Sequence, residues 1–309
     1  MRTCDAVVNV CGAYRMDGTS GTRDLTDAGS LGRSRSDHDW AHPGPAVRLA
    51  AMLDRPELAR RLAQLGATLP PCWHWLYHLP PTTHGALGPD GHETVGEFLP
   101  DVRLPRRMWA GSRLRFHRPV AIGSALERTS TIKAVAPKSG RSGPLTLVTV
   151  HHALRANGTL AIEDEHDIVY RAAADPGDAR RAPRHFEAPS EVQFGRSVIP
   201  DPTLLFRYSA LTFNAHRIHY DRDYATRIEG YPGLVVHGPL QATLLLDLLD
   251  REFPGTRLSS FSFRAVAPIF DTDAFDLCGA RDGSAVRLWT STEAGGVAVV
   301  AHAEILGSP

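Results

Sequence analysis

Between Pro239 and Leu249 the chain reads PLQATLLLDLL, a segment that is apolar around almost its whole helical circumference. A surface helix shows one apolar stripe, so a helix of this kind has to be covered on nearly every side. A curved antiparallel sheet wrapped around it meets that demand, and the rest of the chain supplies the strands. SRLRFHRPVAIGSALERTSTIKAV alternates between apolar and polar and is broken at Pro119 and Gly123. PLTLVTVHHALRANGTLAIEDEHDIVYRAA reads as a hairpin that turns at Asn157-Gly158, a strong short-range turn signal. RLSSFSFRAVAPIFDTDAFDLCGARDG, AVRLWTST and GVAVVAHAEIL add further strands after the helix. The fold class is α+β.

The strands repeat a pattern. RLRFHRPVAIGSALE and SSFSFRAVAPIFDTDAF are each an aromatic–Arg–apolar–Pro strand that turns shortly afterwards at a Gly or Asp, and two more strands follow each. This internal repeat implies two related halves, each with its helical segment before its strands. Residues 1–36, rich in Gly, Ser, Asp and Arg, read as a mobile or loosely docked leader. The first half spans 37–172, its helical segment being AVRLAAMLDRPELARRLAQLG. Residues 173–189 (AADPGDARRAPRHFEAP) form a linker, and 190–309 the second half. Within the first half, 80–112 reads as a long loop punctuated by Gly and Pro, with Arg103, Arg106, Arg107 and Arg113 around Met108 and Trp109. Such a loop is either solvated or shapes a pocket for an anionic ligand.

Composition removes several function classes. Lys plus Arg and Asp plus Glu are equal at 34, so no overall field draws the chain to nucleic acid or an anionic membrane. Cys4, Cys11, Cys72 and Cys278 are scattered without a CxxC, which points to neither a zinc site nor a disulfide framework. His74 and His78 are four apart, but no HExxH accompanies them and their neighbours are aromatic, so they read as packing histidines. No GxGxxG, P-loop or GxSxG occurs. Without a signal-peptide core or a spanning apolar window, the expected location is the cytoplasm.

The chemistry concentrates just before the apolar helix. In FNAHRIHYD, Asn214, His216, His219 and Asp221 fall within eight residues, and His237-Gly238-Pro239 leads into the helix itself. Pro239 suits a first helical position, and Gly238 lets another group come close to the backbone. The unpaired N–H groups of a helix start favour developing negative charge; losing one such donor to an oxyanion typically costs ~3–4 kcal/mol of barrier. Asp221 reads as a cap for the following turn and His237 as helix-entry packing. Arg217 fits a surface ion pair as well as a substrate carboxylate or phosphate, and Tyr208 and Ser209 are candidate pocket-lining residues.

N-A-H-R-I-H-Y-D followed by Tyr224-Ala225 and VVHGPL resembles the hydratase-2 signature of the MaoC-like (R)-specific enoyl-CoA hydratases. In that signature D-x-N-P-[hydrophobic]-H precedes an H-G at the central helix of a hot-dog fold. LPRRMWAG, LRFHRPV, KSGRSGPL, EDEHDIVYR and FRYSALTFNAHRIHYD resemble more narrowly the branch of 3-methylfumaryl-CoA (mesaconyl-CoA) hydratases and mitochondrial-type 3-hydroxyacyl-thioester dehydratases. The resemblance implies a double hot-dog, two antiparallel sheets each wrapping a central helix, with one site per chain at the seam. It implies reversible hydration of a 2-enoyl-CoA, with no cofactor or metal beyond the acyl-CoA substrate, and a branched dicarboxylic acyl group as the leading choice. Fatty-acid or polyketide-type dehydration, thioester hydrolysis and non-catalytic acyl-thioester binding are the alternatives, and a homodimer of such units is compatible with the sequence. Carried over residue by residue, His219 is the catalytic histidine and Gly238 the thioester-oxygen donor. Asn214 stands where the family has its catalytic Asp. Asn214 cannot titrate and is left to position water or substrate and to orient His219, which, with an ordinary pKa near ~6.5, takes and returns the proton. His216, Arg217, Tyr208, Ser209, Arg106, Arg107 and Trp109 are the expected substrate contacts.

Overall fold

The computed structural model describes residues 28–94, 96–140, 143–172, 189, 191–293 and 295–307. The first part of the chain forms β1 (Ser34–Trp40), α1 (Pro43–Met52), α2 (Pro56–Leu62), β2 (Arg106–Phe116), β3 (Ala125–Gly140), β4 (Gly143–Ala156) and β5 (Thr159–Arg171). The second forms β6 (Phe194–Val198), α3 (Pro202–Leu211), α4 (Gly238–Glu252), β7 (Leu258–Ala265), β8 (Phe275–Asp282), β9 (Ala285–Thr292) and β10 (Val297–Ile305). The strands join in one 10-stranded sheet in the order β1-β3-β4-β5-β2-β7-β10-β9-β8-β6. Replacing β1–β5 by β6–β10 turns the left half of that order into the mirror image of the right. The repeat seen in the sequence is therefore a repeat of topology about the β2–β7 pair.

The double hot-dog expected from the sequence is the architecture found, with one refinement. The two sheets are continuous, because β2 pairs with β7 from Gly111↔Arg264 to Arg115↔Ser260. Gly111 makes that seam close: a Cβ there would lie 2.3 Å from the Phe263 carbonyl oxygen. β2 also corrects the long-loop reading of 80–112. Arg106, Arg107 and Trp109 belong to a strand paired with β5, and a bulge between Trp109 and Gly111 breaks the alternation that would have marked it. The expected leader boundary at 36 likewise falls inside a strand, since β1 pairs with β3 from Ser34. β1 also precedes the first half's helical segment. Residues 173–188 of the expected linker lie outside the described residues.

α4 is the helix around which the second half closes. Every residue from Leu240 through Leu249 is buried. Its polar members are satisfied in place, as buried polar groups must be. Gln241 accepts from Thr290 Oγ1 at 2.9 Å. Asp247 meets Arg55 at 2.6 Å, Arg251 at 2.8 Å and Arg196 at 3.0 Å. Arg55 stands at the start of α2, so this cluster also ties the first half to α4. β4 and β5 turn through Asn157 and Gly158 at φ 49° and 78°, the left-handed pair the Asn-Gly signal requires. No helix among the described residues is long and apolar enough to cross a membrane.

Candidate active site

Local hydrogen bonding shapes the segment after α3. Asp201 caps that helix by accepting from Leu204 N–H at 2.8 Å. At its end Phe213 takes φ 50° and reverses the chain. Asn214 then donates its N–H to Ser209 O at 2.8 Å, and its side-chain oxygen accepts from His216 N–H at 3.0 Å. The side-chain oxygen of Asn214 thus closes an Asx turn. That turn starts the short 3-10 segment Arg217–His219, which carries His219 inward.

His219 is 8% exposed, and its Nδ1 lies 2.7 Å from Val235 O. A carbonyl only accepts, so Nδ1 holds the proton and Nε2 is left with a lone pair. The ring stacks on His237 with centroids 3.6 Å apart and planes at 18°. His237 Nε2 bonds Ser209 Oγ at 2.9 Å, and Tyr208 meets the His237 ring edge-on at 5.0 Å. His216 stands edge-on to His219 at 5.4 Å. Burial, with the His216 charge, pushes His219 down to about 3, against the raising effect of Val235 O. Burial, with His92, brings His216 to about 3 as well. Burial beside His219 holds His237 well below the imidazole range. Burial thus disfavours the charged form of His219, where the sequence alone suggests an ordinary imidazole.

Gly238 opens α4 directly after His237, with Pro239 in the first turn. The first N–H groups of a helix have no intrahelical acceptor. A Cβ at Gly238 would meet Ala265 Cβ and the Trp109 carbonyl oxygen at 3.7 Å, ordinary contact distances. Protein packing alone does not require glycine here. Trp109 itself packs its ring on His166 at 4.1 Å and against Trp75 at 5.0 Å, so it is a wall between the helix start and the first half's interior.

A loop of the first half completes the site. Gly88 N–H donates to His92 O at 2.7 Å, and Gly91, at φ 87°, presses against the second half so closely that a Cβ would fall 1.8 Å from Ala215 O. Arg217 fastens the loop, its N–H on Asp90 O at 2.9 Å and its Nη1 on Pro89 O at 2.8 Å. His92 is delivered face to face with His216, ring centroids 4.0 Å apart. Its Nδ1 bonds Asp90 Oδ2 at 2.8 Å, and its N–H bonds the other carboxylate oxygen at 3.0 Å. Burial works to raise the Asp90 carboxyl, but His92 holds it well below the carboxylate range; burial lowers His92 while Asp90 opposes that. The sequence reading passed over both residues, although GPDGHE offered a signal: an acid and a histidine two apart in a glycine-rich loop. Asp90, His92 and His216 also bring one potential metal-ligand atom each within 4.8 Å of one another. As arranged, Asp90 and His92 are joined directly by a hydrogen bond.

The other expected site residues divide. Arg217 is occupied by Asp221 at 2.7 Å and by the loop, and its guanidinium lies 4.3 Å from the Tyr224 ring. Asp221 caps the next turn, accepting from Tyr224 N–H at 3.0 Å. Arg106 is drawn to Glu229 at 3.0 Å and to Tyr231. Arg107 bonds Tyr170 and acts electrostatically on both His92 and His216. His74 and His78 do not converge: His74 faces Asp164 at 3.3 Å and His78 pairs with Asp37.

The family model described as hydroxyacyl-thioester dehydratase type 2 matches residues 72–271. Mesaconyl-C(4)-CoA hydratase of Chloroflexus aurantiacus is 45% identical over 278 residues, covering 90% of this chain and 97% of that protein. The mitochondrial hydroxyacyl-thioester dehydratase type 2 of Schizosaccharomyces pombe is 29% identical over 247 residues, covering 72% and 80%. Among solved structures, a MaoC-like dehydratase superposes with a TM-score of 0.69 at 15% identity, covering 90% of this chain and 99% of that one. A Mycobacterium tuberculosis protein with a double hotdog fold gives 0.55 at 15% identity, covering 90% and 96%. These last two speak to the fold, the first two to the chemistry. The family match over residues 72–271, together with 45% identity to a hydratase along 90% of the chain, places this chain in the hydroxyacyl-thioester dehydratase type 2 family, as a hydro-lyase.

Proposed function

We propose that the enzyme reversibly adds water to a 2-enoyl-CoA thioester, and that its acyl group is a branched dicarboxylic one of the 3-methylfumaryl-CoA (mesaconyl-CoA) type. The observation that carries the reading is the pairing of His219 Nε2, left with a lone pair by the Val235 bond, with the start of α4 in a chain 45% identical to a mesaconyl-C(4)-CoA hydratase. The thioester oxygen takes its hydrogen bond at Gly238 N–H, where the helix dipole favours the enolate-like charge that develops on it. His219 Nε2 removes a proton from water as the oxygen bonds to the β carbon, and the α carbon gains a proton in return. Asn214 positions the His216–His219 turn and takes no proton itself.

In 3-methylfumaryl-CoA the free carboxylate is attached to the carbon that receives the water. Its counter-charge therefore has to lie beside the acid–base groups. Arg107, which bonds the neutral Tyr170 and whose charge reaches His92 and His216, fits that requirement, while Arg106 is paired with the Glu229 carboxylate. The mitochondrial-type dehydratase reaction on simple 3-hydroxyacyl thioesters is the same chemistry run on a substrate lacking that carboxylate. Incubation with mesaconyl-C(4)-CoA and with crotonyl-CoA tests the reading. Loss of enoyl absorbance without free thiol is the expected result, and release of thiol identifies a thioesterase instead. His219→Ala abolishes turnover; a variant that keeps a tenth of wild-type activity refutes the role given to His219.

A further inference from the structure

The family's second acid–base group is missing from its usual place, because position 214 is Asn. A carboxylate is nevertheless present within the same cluster of rings, brought by the first half. Asp90 holds His92 through a 2.8 Å bond, and His92 lies 4.0 Å from His216, which in turn abuts His219. Three independent contacts fix this loop to the catalytic turn: Arg217 N–H on Asp90 O, Arg217 Nη1 on Pro89 O, and Gly91 against Ala215 O. A loop held only to cover the site would not need a half-buried Asp–His pair set against its histidines. We propose that His92, oriented by Asp90, is the second proton-carrying catalytic residue of the hydratase site, so that the first half restores the carboxylate the second half lacks.

The chemistry follows from what stands behind each ring. His92 has a carboxylate on Nδ1, which stabilises its cation; His219 has only a backbone carbonyl. Of the rings gathered here, His92 is the one whose Nδ1 faces a carboxylate. In hydration His219 Nε2 takes a proton from water while the water oxygen bonds to the β carbon. The double-bond electron pair moves to the α carbon, and His92 delivers its proton there. The proton now on His219 returns to His92 through solvent, and the net change is one water added. The charged and titratable groups facing His92 are Asp90 on its own loop, His216 on the catalytic turn and Arg107 on β2.

This inference rests on the hydratase reading, and the test separates the two. His92→Gln and Asp90→Asn are compared with wild type in hydration of mesaconyl-C(4)-CoA across a pH series. His92→Gln is expected to lower kcat by ~10²–10⁴-fold with KM unchanged. Asp90→Asn, nearly isosteric, moves the alkaline limb of kcat to lower pH, since the His92 cation loses its carboxylate. Ring ¹⁵N spectra are expected to show His92 protonated at Nδ1 in wild type and titrating lower in Asp90→Asn. If His92→Gln does not fold, the Asp90→Asn profile and spectra decide. Unchanged kcat in His92→Gln overturns the proposal, as does a loss in which the pH limb and the His92 titration stay put. Activity that is lost to a chelator and restored by zinc overturns it too, making the trio a metal site. An active wild type with an unaffected His92→Gln sinks this inference alone, whereas a wild type without hydratase turnover sinks both.

Discussion

Gly238→Ala separates the helix-start hypothesis from ordinary packing. The added Cβ lies 3.7 Å from both Ala265 Cβ and the Trp109 carbonyl oxygen, so neither neighbour has to move. Gly238 is also outside the positive-φ set, so alanine carries no backbone strain there. Replacing glycine at a compatible helical position stabilises by roughly 0.5–1 kcal/mol, through the unfolded chain. Thermal or urea unfolding is therefore expected to be unchanged or slightly improved. Activity is expected to behave in the opposite way. The methyl fills the gap between the α4 start and Trp109, where the thioester oxygen must approach the Gly238 N–H. Losing that donor corresponds to ~3–4 kcal/mol, a fall in kcat of about 10²–10³. The assay is enoyl-CoA hydration beside a urea titration of the same preparation. A stable variant with wild-type kcat/KM refutes the oxyanion role of this helix start.

Gly91→Ala is the counterpart, where the Cβ would meet Ala215 O at 1.8 Å and φ is 87°. It is expected to undock the Asp90–His92 loop, lowering activity and raising proteolytic cutting between residues 84 and 94; an intact loop with full activity contradicts the docking described. Arg107→Met is expected to raise KM for mesaconyl-C(4)-CoA while leaving crotonyl-CoA nearly untouched, and an equal effect on both refutes carboxylate recognition by Arg107. Stability should fall on acidification. His216 and His219 have folded values of about 3, below the ordinary ~6.5, so the unfolded chain binds more protons in that window and stability present above it is lost as pH drops through it. Asp90 and Asp164, both held low, continue the loss below the carboxylate range. A urea midpoint that is the same at about pH 7.5 and about pH 4.5 contradicts the burial of neutral histidines.

What the sequence made legible were the features whose cause is local. PLQATLLLDLL announces a covered helix through its own composition, and every residue from Leu240 to Leu249 is buried. Asn157-Gly158 announces its hairpin because only a few residues tolerate two left-handed positions in succession. His219 was found through its motif, and the packing around it explains its chemistry. The features that escaped are those made by distant parts of the chain. β2 looked like loop because its bulge and its Gly111 serve a neighbour strand, not its own alternation. Asp90 and His92 escaped because the bonds that bring them in, such as Arg217 to Pro89, join residues 128 apart. The burial of His219 was likewise invisible, since motif position does not report how deeply a ring sits.

The mirrored strand order about β2–β7 has a consequence for how such a site can change. In a pair of identical chains every substitution appears on both sides of the axis, so a residue that helps as a loop on one side must also be tolerated on the other. Here the two sides are encoded separately. The second half keeps the histidine turn and the long helix, while the corresponding region of the first is free to grow a loop that would be useless in duplicate. An Asp–His pair on one side only, meeting a turn that carries Asn214 on the other, is an arrangement open to a fused chain and closed to a symmetric dimer.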